Sequence, residues 1–267
     1  MKTSRLLCTL CAGLLPIMAW SNPYADNLAV RLLPGWQQND GSHIAALEMT
    51  LKAGWKTYWR APGDAGVPPV FSWTDSQNVA RVQVIWPKPE VFLQNGMQSI
   101  GYSDRVILPL RVEPVSGGAV ELDGHLLVGI CEDICVPLEV DLMALTLPET
   151  RRRVPAIAAA LAERPFSGKD AGMRKVTCEI EPAGKRMNLR AVIDMPSTGG
   201  TEVVVLETRD PSIWVSEAKT HRIGNQLTAE AQLVPMAGGA IMLDRSGVNL
   251  TVIGDHSVVE ISGCPAK

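Results

Sequence analysis

The sequence lacks the signals of several large classes of protein. After the first 21 residues, no stretch reaches the roughly 18 apolar residues that a membrane-spanning helix requires, so no direct insertion into a membrane is expected. There is no glycine-rich phosphate loop, serine-nucleophile elbow or metalloprotease helix motif. No low-complexity tract interrupts a composition of 46% hydrophobic and 20% charged residues. We therefore expect a folded globular chain that carries no cofactor.

The amino terminus has the pattern of a cleavable export signal. Lys2 and Arg5 precede an apolar run over residues 6–20, and Ala19-Trp20-Ser21 resembles a signal-peptidase cleavage site. The sequence therefore predicts a signal peptide over residues 1–21 and a periplasmic location.

The mature chain is expected to begin near Asn22. Cys8 and Cys11 lie inside the apolar run and not at its end, so the pattern predicts a soluble protein and not a lipoprotein. Loss of Lys2 and Arg5 takes the formal net charge from −3 to −5. This acidic balance argues against nucleic acid and anionic membrane surfaces as partners.

Short strand-like runs separated by turn residues fill most of the mature chain. In the first half they are Leu28–Leu33, His43–Leu51, Val79–Trp86, Val106–Val112, Ala119–Ile130 and Val136–Leu147. In the second half they are Lys175–Ile180, Met187–Ile193, Glu202–Glu207, Leu227–Val234, Val248–Ile253 and Ser257–Ile261. This pattern predicts an all-β protein of two β-sandwich domains.

One helix is predicted, from Glu149 to Arg164, because Val154, Ile157, Ala158 and Leu161 fall on one face of it. The predicted organisation is a signal peptide over 1–21, a first sandwich over 22–148, a helical connector over 149–165 and a second sandwich over 166–267.

Four cysteines remain after export, Cys131, Cys135, Cys178 and Cys264, and they permit three disulfide connectivities. The strands on either side of residues 132–134 predict a hairpin with a three-residue loop. Such a hairpin places Cys131 and Cys135 opposite each other, with Cα atoms roughly 4.5 to 5.5 Å apart and within reach of a disulfide. This local geometry favours the pairs 131–135 and 178–264.

The two bridges differ in how much they can stabilise the fold. Closing the long loop from Cys178 to Cys264 is worth about 4.6 kcal/mol, whereas closing the short loop from Cys131 to Cys135 is worth only about 2 kcal/mol. We therefore expect Cys178 and Cys264 to form a structural disulfide. The short bridge is either an inert hairpin clip or an exchanging disulfide, and we prefer the second because exposed or strained bridges exchange readily with thiolates.

The residues around the short bridge support that preference. Glu132 and Asp133 disfavour a thiolate nearby, which suits a disulfide that is attacked better than a thiol that attacks. Two thiolates alone also leave a zinc site incomplete, so no metal is expected here.

Several motifs resemble the amino-terminal periplasmic region of DsbD-like disulfide reductases, especially the ScsB branch linked to copper tolerance. They are GWKTYWRAPGDAGVPP over residues 54–69, Trp86-Pro87-Lys88-Pro89, Gly101-Tyr102 and Cys131-Glu132-Asp133-Ile134-Cys135-Val136-Pro137, in that order. The resemblance is strong over roughly residues 27 to 147 and weaker beyond. The cysteine spacing is shorter than in the best-known DsbD domain and similar to that of the ScsB branch.

The resemblance implies immunoglobulin-like domains and a redox pair, Cys131 and Cys135. Such a pair accepts electrons from a membrane-embedded or thioredoxin-like reductase and passes them to periplasmic client oxidoreductases, as a protein-disulfide reductase-type carrier. One cysteine forms a mixed disulfide with the partner and the other resolves it, in an order that the sequence leaves open. Full-length reductases also carry a transmembrane region and a thioredoxin-like Cys-x-x-Cys domain, which this sequence lacks, so we expect the electrons to be delivered.

Three aromatic residues stand close to these motifs: Trp55, Tyr58 and Trp59. Strand alternation places both tryptophans on one face, and core packing is the preferred interpretation. The alternative is functional: the loop from Arg60 to Pro69 lies over the cysteines as a cap, and its two glycines give it freedom to move.

The remaining candidates are weak. The four histidines, His43, His125, His221 and His256, show no ligand spacing, and the methionines of the mature chain form no cluster that predicts a copper site. A second function therefore stays open, that of a two-domain adaptor with only structural disulfides, which recruits a membrane reductase or metal-handling protein by β-sheet edge contacts.

Overall fold

The computed structural model describes residues 22–64, 66–94, 96–239 and 241–266. The predicted signal peptide, residues 1–21, lies outside the described residues. None of the helices among those residues is both long enough and apolar enough to cross a membrane.

Nineteen strands and one short α-helix make up the described chain, together with 3-10 turns at Ala25–Asn27 and Arg245–Gly247. The first ten strands are β1 Leu28–Gln37, β2 His43–Leu51, β3 Lys56–Tyr58, β4 Val70–Ser72, β5 Val79–Val84, β6 Glu90–Gln94, β7 Met97–Ser103, β8 Arg105–Pro114, β9 Glu121–Cys131 and β10 Cys135–Thr146. After helix α1, Pro155–Ala162, come β11 Phe166–Ser167, β12 Lys175–Ala183, β13 Arg186–Asp194, β14 Val203–Thr208, β15 Ile213–Val215, β16 Lys219–Ile223, β17 Gln226–Pro235, β18 Val248–Ile253 and β19 Val258–Ser262.

The strands form two immunoglobulin-like sandwiches, so the all-β prediction is confirmed. In the first sandwich the sheet β1-β2-β8-β5 faces the sheet β10-β9-β3-β7-β6, and β4 also pairs with β9. In the second sandwich the sheet β11-β19-β18-β14 faces the sheet β12-β13-β17-β15, and β16 also pairs with β17. The predicted domain limits stay a prediction.

Each sandwich encloses its own apolar core, as the alternation of the strands dictates. In the first sandwich, Leu47 on β2, Leu108 on β8 and Ile130 on β9 are fully buried. In the second, Leu189 on β13 and Leu250 on β18 are buried to the same degree.

Helix α1 is shorter than predicted, because it begins at Pro155 and not at Glu149. A residue that precedes proline is pushed out of the helical region, and Val154 is extended, with φ −86° and ψ 119°. The helix packs on the outer face of the β1-β2-β8-β5 sheet, where Ile157 and Ala160, and not Ala158, are its buried residues.

The two sandwiches contact each other through one sheet of the second. Successive residues of a strand point to opposite faces, so β14, β18 and β19 present a second apolar face away from their own core. Ile253 and Val258 on this face are buried against the first core, and Val203 and Val205 pack beside them. The second sandwich therefore packs directly against the first.

Candidate functional site

The hairpin of β9 and β10 carries the first cysteine pair. Cys131 ends β9, Cys135 begins β10, and the two are directly opposed in the antiparallel register. Their Cα atoms lie 4.1 Å apart, slightly less than the predicted range, and their sulfurs form a disulfide. The bridge stands on the outer face of the sheet, because Val128 and Ile130 point into the core on the alternate positions of β9.

The two sulfur-bearing residues differ in exposure. Cys131 is 6% exposed, whereas Cys135 is among the exposed residues. Cys135 is therefore the more accessible of the two cysteines to an incoming thiolate.

Tyr58 on β3 contacts the exposed cysteine. Its hydroxyl donates a hydrogen bond to Sγ of Cys135 over 3.0 Å. Strand β3 lies beside β9, with Lys56 opposite Cys131, so Tyr58 reaches the disulfide from the neighbouring strand. Burial raises the pKa of the Tyr58 hydroxyl above its usual value, which keeps it a donor at neutral pH.

The loop over residues 60–69, which we name the cap loop, covers the ring of Tyr58. A Cβ atom at Gly66 would lie 2.8 Å from Cδ1 of Tyr58, and one at Gly129 on β9 would lie 2.9 Å from its Cδ2. The ring therefore fits a slot between two glycines. Val67 borders the same slot, 3.4 Å from the Cβ position of Gly129.

The two glycines of the cap loop have different roles in its conformation. Gly63 has φ +81°, a backbone conformation that favours glycine. Gly66 is required by close approach instead, because a Cβ atom there would lie 2.4 Å from Cβ of Pro62. Gly63 therefore fits the expectation that glycine gives this loop conformational freedom, whereas Gly66 does not.

The structure separates the three aromatic residues that the sequence grouped together. Trp55 and Trp59 point into the first core, and Trp59 is fully buried. Tyr58 is equally buried but lies on the opposite face of β3, under the cap loop. Of the three, Tyr58 is the one that contacts the disulfide.

The hairpin tip is acidic and exposed. Glu132 and Asp133 lie between the two cysteines, and the Glu132 carboxylate rests over Gly54 in the turn before β3. Nζ of Lys56 on β3 lies 5.0 Å from the centroid of the Phe92 ring, and burial lowers the pKa of Lys56.

Exposed apolar side chains lie on the same face as the bridge. Val70 on β4 pairs with Leu127 on β9, Val67 borders the Tyr58 slot, and Ile134 stands at the hairpin tip. All four are exposed. A surface of this kind around a reactive group is suited to contact with another protein.

The second cysteine pair lies in a different environment. Cys178 on β12 and Cys264, which follows β19, are joined by a disulfide, and each is 1% exposed. The surrounding backbone is tied down, because Arg245 donates a hydrogen bond through Nη1 to the carbonyl oxygen of Cys178 over 2.8 Å. This bridge is inaccessible to an external thiolate.

Sequence reasoning missed one charged cluster on the outer face of β9. His125 lies 2.8 Å from Asp141 through Nδ1 and 2.9 Å from Asp75 through Nε2. The hydrogen bond to Asp141 raises the pKa of His125 above its usual value. No sequence motif indicates this cluster, because its three residues lie on β9, on β10 and in the turn after β4. No group of three or more acidic, histidine or cysteine side chains in the described residues has the geometry of a metal site.

The first sandwich is similar to a known protein family. Residues 29–147 match the family model for the N-terminal region of the thiol:disulfide interchange protein DsbD. This part of the chain, which contains Cys131 and Cys135, is therefore similar to DsbD N-terminal regions. No curated protein sequence matches the chain at a significant level.

Solved structures extend the likeness to the second sandwich. The N-terminal periplasmic domain of ScsB from Proteus mirabilis is 22% identical and has a TM-score of 0.67, over 93% of this chain and 97% of that one. The fold of both sandwiches is therefore shared with that domain. A protein of unknown function from Porphyromonas gingivalis W83 is 12% identical, and its TM-score of 0.22 is too low to indicate a common fold.

Proposed function

We propose that this chain is a periplasmic thiol–disulfide exchange protein whose redox pair is Cys131 and Cys135. It takes electrons from a membrane-embedded or thioredoxin-like reductase and passes them to periplasmic client oxidoreductases. The observation that carries the proposal is the contrast between the two bridges: the Cys131–Cys135 disulfide has an exposed sulfur-bearing residue beside a hydroxyl donor, whereas the Cys178–Cys264 disulfide is buried.

The exposure of Cys135 supports one order of the exchange. A donor thiolate attacks Sγ of Cys135, the bond between the two cysteine sulfurs breaks, and its electron pair goes to Sγ of Cys131. The second thiol of the donor then resolves the mixed disulfide, which oxidises the donor and leaves Cys131 and Cys135 reduced. Two electrons have then entered the chain.

Transfer to a client runs the same steps in reverse. The Cys135 thiolate attacks the client disulfide, and Cys131 resolves the mixed intermediate. Tyr58 supports the attacking role of Cys135, because a hydrogen bond to the charged form stabilises a thiolate. The burial of Cys131 protects the resolving sulfur from other thiols.

The exposed apolar side chains supply a contact surface for these partners. Val67, Val70, Leu127 and Ile134 lie on the face from which a thiolate reaches Cys135. Thioredoxin-like proteins are the partner class that the DsbD-like match favours. Only the resemblance to the ScsB branch supports a role in copper tolerance.

The test is the reduction potential of the Cys131–Cys135 bridge in the mature chain. The protein is equilibrated in dithiothreitol or glutathione redox buffers, and mass spectrometry identifies which bridge opens. We expect this bridge to open in the folded protein at a potential above about −300 mV, the usual limit for structural disulfides. The Cys178–Cys264 bridge serves as the internal control.

Trapping experiments then test the assigned order. In a Cys131→Ser variant the mixed disulfide between Cys135 and a thioredoxin-like protein has no resolving sulfur, so it should accumulate. In a Cys135→Ser variant the remaining thiol is buried and the complex should be scarce. A Cys131–Cys135 bridge that stays oxidised until the protein unfolds would instead support the adaptor function.

A further inference from the structure

The strand pair that carries the Cys131–Cys135 disulfide has charge of mainly one sign. The segment over residues 119–147, which spans β9, the hairpin tip and β10, contains no lysine and no arginine, although the whole chain has 25 of them. The one histidine of the segment, His125, lies between Asp141 and Asp75. The segment contains six carboxylates, namely Glu121, Asp123, Glu132, Asp133, Glu139 and Asp141.

Some of these carboxylates lie on the same face as the disulfide. Side chains two and four positions apart on a strand point the same way, so Glu139 shares a face with Cys135, about 13 Å along β10. In the antiparallel register Glu139 lies opposite the exposed Leu127 of β9. Glu132 and Asp133 stand at exposed positions of the hairpin tip. The exposed apolar surface around the bridge is thus bordered by carboxylates.

Two basic residues in and just after β3 are engaged elsewhere. Lys56 is only 9% exposed, and its Nζ lies over the ring of Phe92. Arg60 binds the second sandwich, where its Nε and Nη2 donate to the carboxylate of Glu207 over 3.0 and 2.9 Å. Nη2 of Arg60 also donates to Glu260 over 2.6 Å. Neither side chain is therefore available to neutralise the carboxylates beside the disulfide.

One exposed lysine offsets this charge in part. Lys52 lies in the turn before β3, in which Gly54 is covered by the carboxylate of Glu132. The carboxylates of Asp133 and Glu139 make no hydrogen bond or ion pair with any residue that the structure describes. The face therefore keeps a net negative charge around Cys135.

A negative face discriminates between the thiols that approach it. An attacking thiolate is itself negative, so the carboxylates repel a partner that brings no compensating charge. A partner whose cysteine is surrounded by lysine or arginine side chains is attracted instead, and the same side chains lower its thiol pKa and raise its thiolate fraction. Complementary charge of this kind raises association rates by roughly 10- to 1,000-fold.

From this charge distribution we infer that the face of β9 and β10 selects its exchange partners by charge: the thioredoxin-like protein that reacts with Cys135 presents a basic surface around its own cysteine, which meets Asp133 and Glu139. The inference rests on the proposed exchange function and specifies the chemistry of the partner. The exposed apolar side chains supply contact area that many partners could use, whereas the carboxylates at its border favour basic ones.

The test uses two dithiol peptides of opposite charge, acetyl-Lys-Cys-Gly-Pro-Cys-Lys-amide and acetyl-Glu-Cys-Gly-Pro-Cys-Glu-amide. Each peptide reduces the bridge of the mature chain by two electrons and is itself oxidised to a cyclic disulfide. Each rate constant is divided by that of the same peptide with the uncharged disulfide of 2-mercaptoethanol, so that differences in thiol pKa cancel. At an ionic strength of about 0.01 M, where the Debye length is about 30 Å, the lysine peptide should be favoured by roughly tenfold. At about 1 M salt, where the Debye length is about 3 Å, the preference should nearly vanish.

A charge reversal on β10 tests the surface itself. Glu139→Lys should lower the preference for the lysine peptide by roughly fivefold at low ionic strength, and Glu139→Gln should lie between this variant and wild type. Glu181→Lys is the matched control, because Glu181 is also an exposed strand residue, on β12 of the second sandwich. Its preference should stay within about twofold of wild type, since the charge lies on the other sandwich.

The outcomes separate this inference from the exchange function. Equal corrected rates for the two peptides with wild type at low ionic strength, or equal effects of Glu139→Lys and Glu181→Lys, would overturn the inference and leave the exchange function in place. A bridge that neither peptide opens in the folded protein would contradict the exchange function and the choice of partner together. The Cys178–Cys264 bridge should stay closed throughout and so reports that the protein is folded. The salt series on wild type decides the question even if Glu139→Lys does not fold.

Discussion

The hydroxyl of Tyr58 and the sulfur of Cys135 are joined by a hydrogen bond of 3.0 Å that links β3 to the start of β10. A disulfide sulfur is a weak acceptor, whereas a thiolate is a strong one. The contact therefore favours the reduced form of the pair over the oxidised form. Because the Tyr58 ring is buried between Gly66 and Gly129, its hydroxyl stays in place when the bridge opens.

Replacing this hydroxyl should make the bridge harder to reduce. In Tyr58→Phe the ring still fills its slot, but the Cys135 thiolate loses one charge-assisted hydrogen bond. The reduction potential at pH 9, where thiolates are abundant, should fall by about 30 mV relative to wild type. Tyr102→Phe is the control, because the Tyr102 hydroxyl donates over the same distance to the carbonyl oxygen of Pro87. An equal fall in both variants would contradict the role of Tyr58.

Gly66→Ala should open the cap loop. The added Cβ would lie 2.4 Å from Pro62 and 2.8 Å from Tyr58, so the loop must move outward or the ring must shift. We expect faster reduction of the Cys131–Cys135 bridge by dithiothreitol and a loss of about 1 to 3 kcal/mol of stability from overpacking. Gly117→Ala, where nothing lies within 4 Å, should change neither quantity. A rate equal to wild type in Gly66→Ala would show that the loop does not limit access.

The second disulfide should matter for stability and not for exchange. Its cysteines are 86 positions apart, and loop-closure entropy gives about 4.6 kcal/mol for such a bridge against about 2 kcal/mol for the short one. In urea unfolding, the double variant Cys178→Ala, Cys264→Ala should therefore lose more unfolding free energy than the double variant Cys131→Ala, Cys135→Ala. The reduction potential of the Cys131–Cys135 bridge should stay unchanged in the first of these variants. A larger loss in Cys131→Ala, Cys135→Ala would reverse the assignment of roles.

The sequence was most informative where a strand carries its own long alternating pattern. The prediction for His43–Leu51 matches β2 in full, and the β9–β10 hairpin places Cys131 opposite Cys135 as expected. The short strand β4 was missed, because three residues carry too little pattern and are fixed by pairing with β9. The predicted helix is too long at its start, because Pro155 keeps Val154 out of the helical conformation.

The site was predictable only in part, for a similar reason. The motif around Trp55 to Trp59 was visible, but the contact between Tyr58 and Cys135 depends on β3 lying beside β9, and the two residues are 77 positions apart. The partners of Arg60 are farther still, 147 and 200 positions along the chain. Contacts of this range follow from how the sandwiches pack, and no local pattern encodes them.

The pair of carboxylates around His125 should make stability depend on pH near neutrality. Asp141 and Asp75 raise the pKa of His125 in the folded protein, so the folded state binds its proton more tightly than the unfolded state does. The resulting stabilisation is fully present below the unfolded pKa of about 6.5 and is lost as the pH rises through the folded value. The melting temperature of His125→Gln should therefore lie below that of wild type at pH 5 and approach it at pH 8. His221→Gln, at an exposed position on β16, is the control. A difference in melting temperature between wild type and His125→Gln that does not change with pH would contradict this account.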